Sequence, residues 1–226
     1  MKNLKYYLLS TLLLFSITNL FSQDIGIELD RNEGIIEGVF IKKDNIVFEL
    51  DSSNSNIKNI YIFSYDSLSE RFFYDPIYDF RPRRWLELHS GVRLYINSYS
   101  SVDYAKNYSD NSFAGIVGSV IKVDDVEIEY HKRIGNNRII GIVGKIKSVN
   151  DIPISYHKNY SENQRGGYMG KISSIDDINF DFHNKHTYSD LGNYIGKLKE
   201  INGVKFEYNQ NYSGNIIKGS VGKISK

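Results

Sequence analysis

Hydrophobic and polar positions in the second half of the chain repeat with a fixed period. Gly118, Gly144, Gly170, Gly196 and Gly222 stand 26 residues apart. All but the last are followed at one offset by a polar doublet: Asp124-Asp125, Asn150-Asp151, Asp176-Asp177 and Asn202-Gly203. Self-similarity at such a period marks one supersecondary unit stacked side by side. Within a unit, Ile152, Ile154 and Tyr156 alternate with Pro153, Ser155 and His157, and the run from Ile140 to Ser148 alternates too. Alternation at period two predicts half-buried strands, and two such strands around a polar doublet predict a β-hairpin. The expected fold class is all-β: a long antiparallel meander of tandem 26-residue hairpin repeats, with an irregular N-terminal segment.

The turn sets the register. A two-residue turn at Asn150-Asp151 places Ile154 beside Lys147 and Tyr156 beside Lys145. A three-residue loop, Val149-Asn150-Asp151, pairs Ser148 with Ile152, Ile146 with Ile154, and Gly144 with Tyr156. The longer loop keeps apolar residues on one face and is the expected one. It puts Asp125, Asp151, Asp177 and Gly203 in the left-handed position.

Carried across the sheet, that register predicts a wholly apolar row: Val120, Ile128, Ile146, Ile154, Ile172, Phe180, Leu198, Phe206 and Ile224. In the next row the periodic glycines alternate with Tyr130, Tyr156, Phe182 and Tyr208, each ring expected to lie over bare glycine backbone. The opposite face runs Ser119, Glu129, Lys145, Ser155, Lys171, Asp181, Lys197, Glu207, Lys223 and reads as a solvated ladder. Pro153 cannot donate within a central strand, so a local bulge is expected there.

Upstream, Gly38 to Leu50 matches Gly118 to Tyr130 position by position, and Ile57 to Tyr65 looks like half a unit. The expected organisation is a signal peptide at 1–22, degenerate hairpin units at 23–65, an irregular Tyr/Arg/Trp-rich segment at 66–112, and the repeat sheet at 113–226. The oily face of that sheet cannot stand in water. The N-terminal part, curling of the sheet, or a second copy must cover it.

The first residues, MKNLKYYLLSTLLLFSITNLFSQ, read as a secretory signal cut near Ser22 or Gln23. Lys2 and Lys5 form the basic end, and the apolar stretch is shorter and more polar than a spanning helix requires. Export to the periplasm, the outer membrane or the exterior of a bacterial cell is therefore expected. The absence of cysteine removes disulfides and a lipid-anchored cysteine, which suits a bacterial envelope. Loss of residues 1–22 takes the formal charge from +1 to −1, so no nucleic-acid partner is expected. Abundant Tyr and Phe favour strands.

Candidate chemistry is sparse. His131, His157 and His183 recur at one position of three units, with Asn209 in the fourth. Equivalent positions two strands apart are separated by about 9.6 Å, too far for one metal ion. The acidic doublets are turn residues before they are calcium ligands. Asn107, Asn159 and Asn211 begin Asn-Tyr-Ser triplets at the return turns. No phosphate loop, nucleophile elbow or zinc spacing is present. No catalytic residue, cofactor or metal is expected.

The best candidate outside the repeat is Arg81, Arg83, Arg84 and Trp85, a set suited to a recognition surface or sugar platform. The alternative reading makes this segment a cap, with Trp85 in the core and the arginines paired to Asp75, Asp79 and Glu87.

The unit G-K-I-x-x-[IV]-[DN]-[DG]-[IV]-x-[IF]-x-[YF]-[HN], as in Gly144 to His157 and Gly196 to Asn209, resembles hairpin repeats of uncharacterised secreted proteins of Gram-negative bacteria. The resemblance covers 113–226 and faintly 34–65, and it brings no activity with it. The layout is also similar to that of MORN repeats, whose consensus this chain does not meet. The expected function is that of an exported, non-catalytic structural or surface-binding protein of a bacterial envelope. Its expected partner is a glycan, an envelope protein or a second copy meeting the apolar sheet face, with no integral membrane insertion. The alternatives are an outer-membrane β-barrel and a carbohydrate-binding or carbohydrate-active protein.

Overall fold

The computed structural model describes residues 25–30, 35–51, 56–63, 84–113, 115–132, 141–158, 167, 169–183 and 196–208. The expected signal segment, Arg81, Arg83, Asp75, Asp79, Asn159, Asn211, Ile224 and the terminal lysines lie outside them.

Two sheets carry the fold. The first holds β1 (Ile25–Asp30), β2 (Ile35–Lys43), β3 (Ile46–Asp51), β4 (Ile57–Ile62), β5 (Arg84–Glu87) and β6 (Arg93–Ile96), in the order β1-β2-β3-β4-β6-β5. Its pairs are antiparallel except β4 with β6, which is parallel. The second holds β7 (Val102–Tyr104), β8 (Val120–Val123), β9 (Val126–Tyr130), β10 (Ile146–Val149), β11 (Ile152–Tyr156), β12 (Ile172–Ile175), β13 (Ile178–Phe182), β14 (Leu198–Ile201) and β15 (Val204–Lys205), each beside its sequence neighbour. This is the expected antiparallel meander. The stretch expected to be irregular contributes β5, β6 and β7, and short helical turns at His89–Gly91 and α1 (Ser109–Phe113) connect strands.

One hydrophobic core joins the two sheets. Val39, Ile41, Ile46, Phe48, Leu50, Ile60, Leu94 and Ile96 from the first pack in the same cluster as the inward rows of the second. Those rows keep the period: Val120, Ile146, Ile172, Leu198; Val123, Val149, Ile175, Ile201; Ile128, Ile154, Phe180, Phe206, all buried. Each such side chain contributes about 1.5–3 kcal/mol on burial, so packing against the N-terminal sheet, rather than hairpin hydrogen bonding, holds the array. Of the three expected ways to cover the oily face, the structure uses the N-terminal part.

The three-residue loop does not occur. Val149 pairs with Ile152 and Ser148 with Pro153, which leaves a two-residue turn at Asn150-Asp151. The same turn closes β12–β13 and β14–β15. Its left-handed residues are Asp124, Asn150, Asp176 and Asn202 at the first position, joined by Asp151 and Gly203 at the second. Positive φ at both central residues, as at Asn150-Asp151 and Asn202-Gly203, is the type I′ geometry that matches strand twist, whereas Asp125 and Asp177 do not take the expected left-handed position.

The ladder is not regular, because each unit carries a β-bulge. Tyr130 faces Ile146 and Glu129 faces Ser148, so Lys147 is an extra residue turned outward. Ile121, Ser173 and Lys199 are extra in the same way, at the same spacing. A bulge opposes two residues to one and breaks the alternation. Ile146 and Val149, three apart, therefore both point inward.

Pro153 needs no bulge of its own. The β11–β12 ladder starts at Ile154–Ile175, and Pro153 supplies only its carbonyl, to the Asp176 amide at 2.8 Å.

The β2–β3 hairpin shows the unit without a bulge: its ladder runs unbroken from Gly38–Asp51 to Lys43–Ile46. Regular alternation then gives Lys43 the core-side position beside the turn. Its ammonium crosses to the other sheet, 2.5 Å from Asp177 and 3.4 Å from Asp176. The Asp124 carboxylate instead accepts from the Ser101 amide at 2.8 Å and the Ser101 hydroxyl at 3.2 Å. Two of the acidic doublets thus anchor neighbouring segments.

Candidate binding surface

Gly118 and Gly170 do not have aromatic rings over them. Gly118, Gly144, Gly170 and Gly196 have φ between 76° and 81°, a left-handed backbone that bears a side chain poorly. A Cβ on Gly118 would meet nothing, and one on Gly170 would meet the Gly141 carbonyl and the Lys145 ammonium.

The rings serve a different partner. Lys145 sits over Tyr156 at 5.0 Å, Lys171 over Phe182 at 5.2 Å, and Lys197 over Tyr208 at 5.3 Å. Lys145 Nζ also donates to Gly170 O, and Lys171 Nζ to Gly196 O, each in the next unit. His131, His157 and His183 set their rings edgewise against Tyr156, Phe182 and Tyr208, 5.5–5.7 Å between centroids. His183 Nε2 lies 3.2 Å from Phe206 O, and His131 and His157 sit near the equivalent carbonyls of Ile154 and Phe180 without an Nε2 hydrogen bond of ordinary geometry among the described residues. The expected solvated ladder is thus corrected at three places. Lys145, Lys171 and Lys197 form a partly buried spine, while Lys147–Glu129 and Lys199–Asp181 make the exposed ion pairs at 2.7 Å. Burial lowers the pKa of all three spine lysines. The recurring histidines are accounted for by packing between units. Among the described residues no group of three or more His, Cys, Asp or Glu could hold a metal ion.

The sequence-singled residues divide. Alternation along β5 puts Arg84 on the side of Leu86, which packs on the core, and Trp85 and Glu87 on the outer side. Trp85 is 53 % exposed and so is not a core residue. Arg93, its neighbour from β6, holds its guanidinium 5.3 Å from the Trp85 ring centre. Trp85 pairs across the ladder with Tyr95, which stacks on Tyr61 at 4.8 Å and 10°. Three aromatic residues from β5, β6 and β4 therefore line one row of the outer face.

Beside this row lies a polar cluster that the sequence reading missed. Glu49 is buried in β3 and accepts from Asn59 Nδ2 at 2.6 Å, Tyr61 OH at 2.6 Å and Lys58 Nζ at 2.9 Å. Burial alone would raise its pKa, but these hydrogen bonds outweigh burial and hold the carboxyl below its ordinary range. Lys58 can reach because a register shift falls opposite it, between Glu49–Asn59 and Leu50–Ile57. Burial first, then the bond to Glu49, pushes the Tyr61 phenol up, so it remains a donor. The one available sequence signal was a charged residue inside the apolar run Ile46 to Leu50.

No protein-family model matches the chain, and neither a curated protein nor a solved structure matches it. No helix among the described residues is long and apolar enough to cross a membrane.

Proposed function

We propose that this chain is an exported, non-catalytic binding protein of a bacterial cell envelope, using the outer face of its N-terminal sheet. The observation that carries the reading is the half-exposed Trp85, held by Arg93 beside the Tyr61–Tyr95 stack. The core does not use this tryptophan, and exposed aromatics with a polar surround are the usual anchors of recognition surfaces. The Glu49–Asn59–Tyr61 hydrogen bonds set the position of one ring of the row. A glycan is the partner class this surface suits, because apolar ring faces and flanking polar groups match the two kinds of surface on a sugar. The leader-like first residues and the resemblance to secreted hairpin-repeat proteins support export.

The strands also bear on the outer-membrane β-barrel reading. β8 to β14 run four or five residues each, where a membrane strand needs about 9–11. Two experiments test the proposal. Fractionation should recover the protein in a salt-soluble periplasmic or secreted fraction; recovery only with detergent-extracted barrels would sink the reading. A glycan array should show binding that Trp85→Ala abolishes while the variant melts within about 1 kcal/mol of the parent. No binding by the parent protein would remove the glycan.

A further inference from the structure

Where the two sheets meet beside the His89–Gly91 turn, there is a pocket of about 100 Å3. Asn56, His89 and Lys145 give it polar walls, and Ile57, Val92 and Tyr156 give it apolar ones. That space has room for several waters or a single group the size of phosphate.

Lys145 supplies the cation of this pocket. Its ammonium donates to Gly170 O at 2.5 Å and to Asn56 Oδ1 at 3.3 Å, and lies over the Tyr156 ring. Those partners are neutral. Lys43, Lys58, Lys147 and Lys199 each meet a carboxylate, and Lys171 feels the charge of Asp51. No carboxylate is found on Lys145 among the described residues, and burial is the cause that lowers its pKa. A half-buried cation with neutral neighbours carries an unrepaid desolvation cost, which an anion at the pocket mouth would offset. The contact with Lys145 fixes the Asn56 amide with its oxygen inward to the lysine, leaving Nδ2 as a donor. His89 lines the same rim, and its imidazole carries a ring N–H.

We propose that this pocket is an oxyanion site, taking a single phosphate, sulfate or carboxylate group with Lys145 as its charge partner and Asn56 and His89 as donors. The site shares no residue with the Trp85 face, so its fate is independent of the glycan reading. The anion is either free in solution or the terminal group of a larger molecule.

The test is a titration of the intact, isotopically labelled protein with inorganic phosphate, sulfate, acetate and glycerol phosphate at constant ionic strength. Amide shifts at Asn56, Ile57, His89 and Lys145 are expected to move and saturate below about 50 mM, the range of a single-site weak anion complex. Tighter binding of glycerol phosphate than of phosphate identifies a terminal group as the source, and equal binding identifies the free ion. Lys145→Met keeps the stem over Tyr156 and should weaken binding at least about tenfold, while Lys171→Met should change it less than about twofold. Shifts that fail to saturate, or Lys145→Met binding within about twofold of the parent, overturn the site. Should Lys145→Met not fold, His89→Ala decides: a loss of about threefold or more supports the site, and an unchanged affinity overturns it.

Discussion

Replacing Tyr156 by Phe tests the register of the repeat. The Tyr156 hydroxyl donates to Ile146 O at 2.9 Å, and the Tyr130 hydroxyl to Val120 O at 2.7 Å, each bridging back ten residues in its own hairpin. This reach belongs to the two-residue turn with its bulge. In the three-residue register the tyrosine would stand opposite Gly144. Tyr156 is 8 % exposed, and burial raises its phenol pKa, so the hydroxyl stays protonated through ordinary pH.

Removal of such a bond costs about 0.5–1.5 kcal/mol, with the buried carbonyl left short of a donor pushing toward the upper end. The expected loss is about 1 kcal/mol for Tyr156→Phe and the same for Tyr130→Phe. The two sites sit two strands, about 10 Å, apart, so the double variant should lose about 2 kcal/mol by addition. Urea denaturation with an unchanged m-value reads it, and melting should fall by about 2–4 °C per variant for a chain of this size. Phe182 occupies the same position of the next unit and supplies an internal reference, since Phe182→Tyr should be accepted there with little change. Parent-like stability of both Tyr→Phe variants, or a difference of more than about 1 kcal/mol between them, would refute the shared geometry.

Two further outcomes are expected. Burial pulls His131 and His157 below the ordinary histidine range, only partly offset by the carbonyls of Ile154 and Phe180. The folded rings stay neutral where unfolded ones would charge, so this contribution is complete above about pH 6.5 and is lost as pH falls toward the folded-state values. The slope is at most about 1.4 kcal/mol per pH unit for each ring; His131→Gln with His157→Gln should flatten it between pH 5 and 7, and an unaltered profile counts against the spine. Glu49→Ala removes the acceptor shared by Asn59, Tyr61 and Lys58, next to an Asn59 Oδ1 that already lacks a partner among the described residues. Its expected cost in urea is about 2–4 kcal/mol, with Glu49→Gln recovering roughly half, and a cost below about 1 kcal/mol would show that the cluster relaxes freely.

The repeat period, the polar turns and the inward rows were legible because each follows from local alternation. Ile128, Ile154 and Phe180 are buried as the pattern required. The period could not say where its odd residue goes. A third residue in the turn and a bulge at Lys147 account equally well for the same spacing of apolar positions, and only the neighbouring strand distinguishes them. Lys145 and Lys147 read alike as outward lysines, yet one lies over Tyr156 and the other meets Glu129. The parallel β4–β6 pair and the Tyr61–Tyr95–Trp85 row were hidden for a related reason. They join residues distant in sequence, where alternation within a strand carries no information.

The spine contacts all point one way. Lys145 and Lys171 reach forward to a glycine of the following unit, and His131, His157 and His183 each lean on the following ring. The array therefore has a head and a tail, and shortening it is not symmetric. Trimming from the C-terminal side strands the cation and imidazole of the unit before the cut, whereas trimming from the other side takes only a histidine from the first remaining ring.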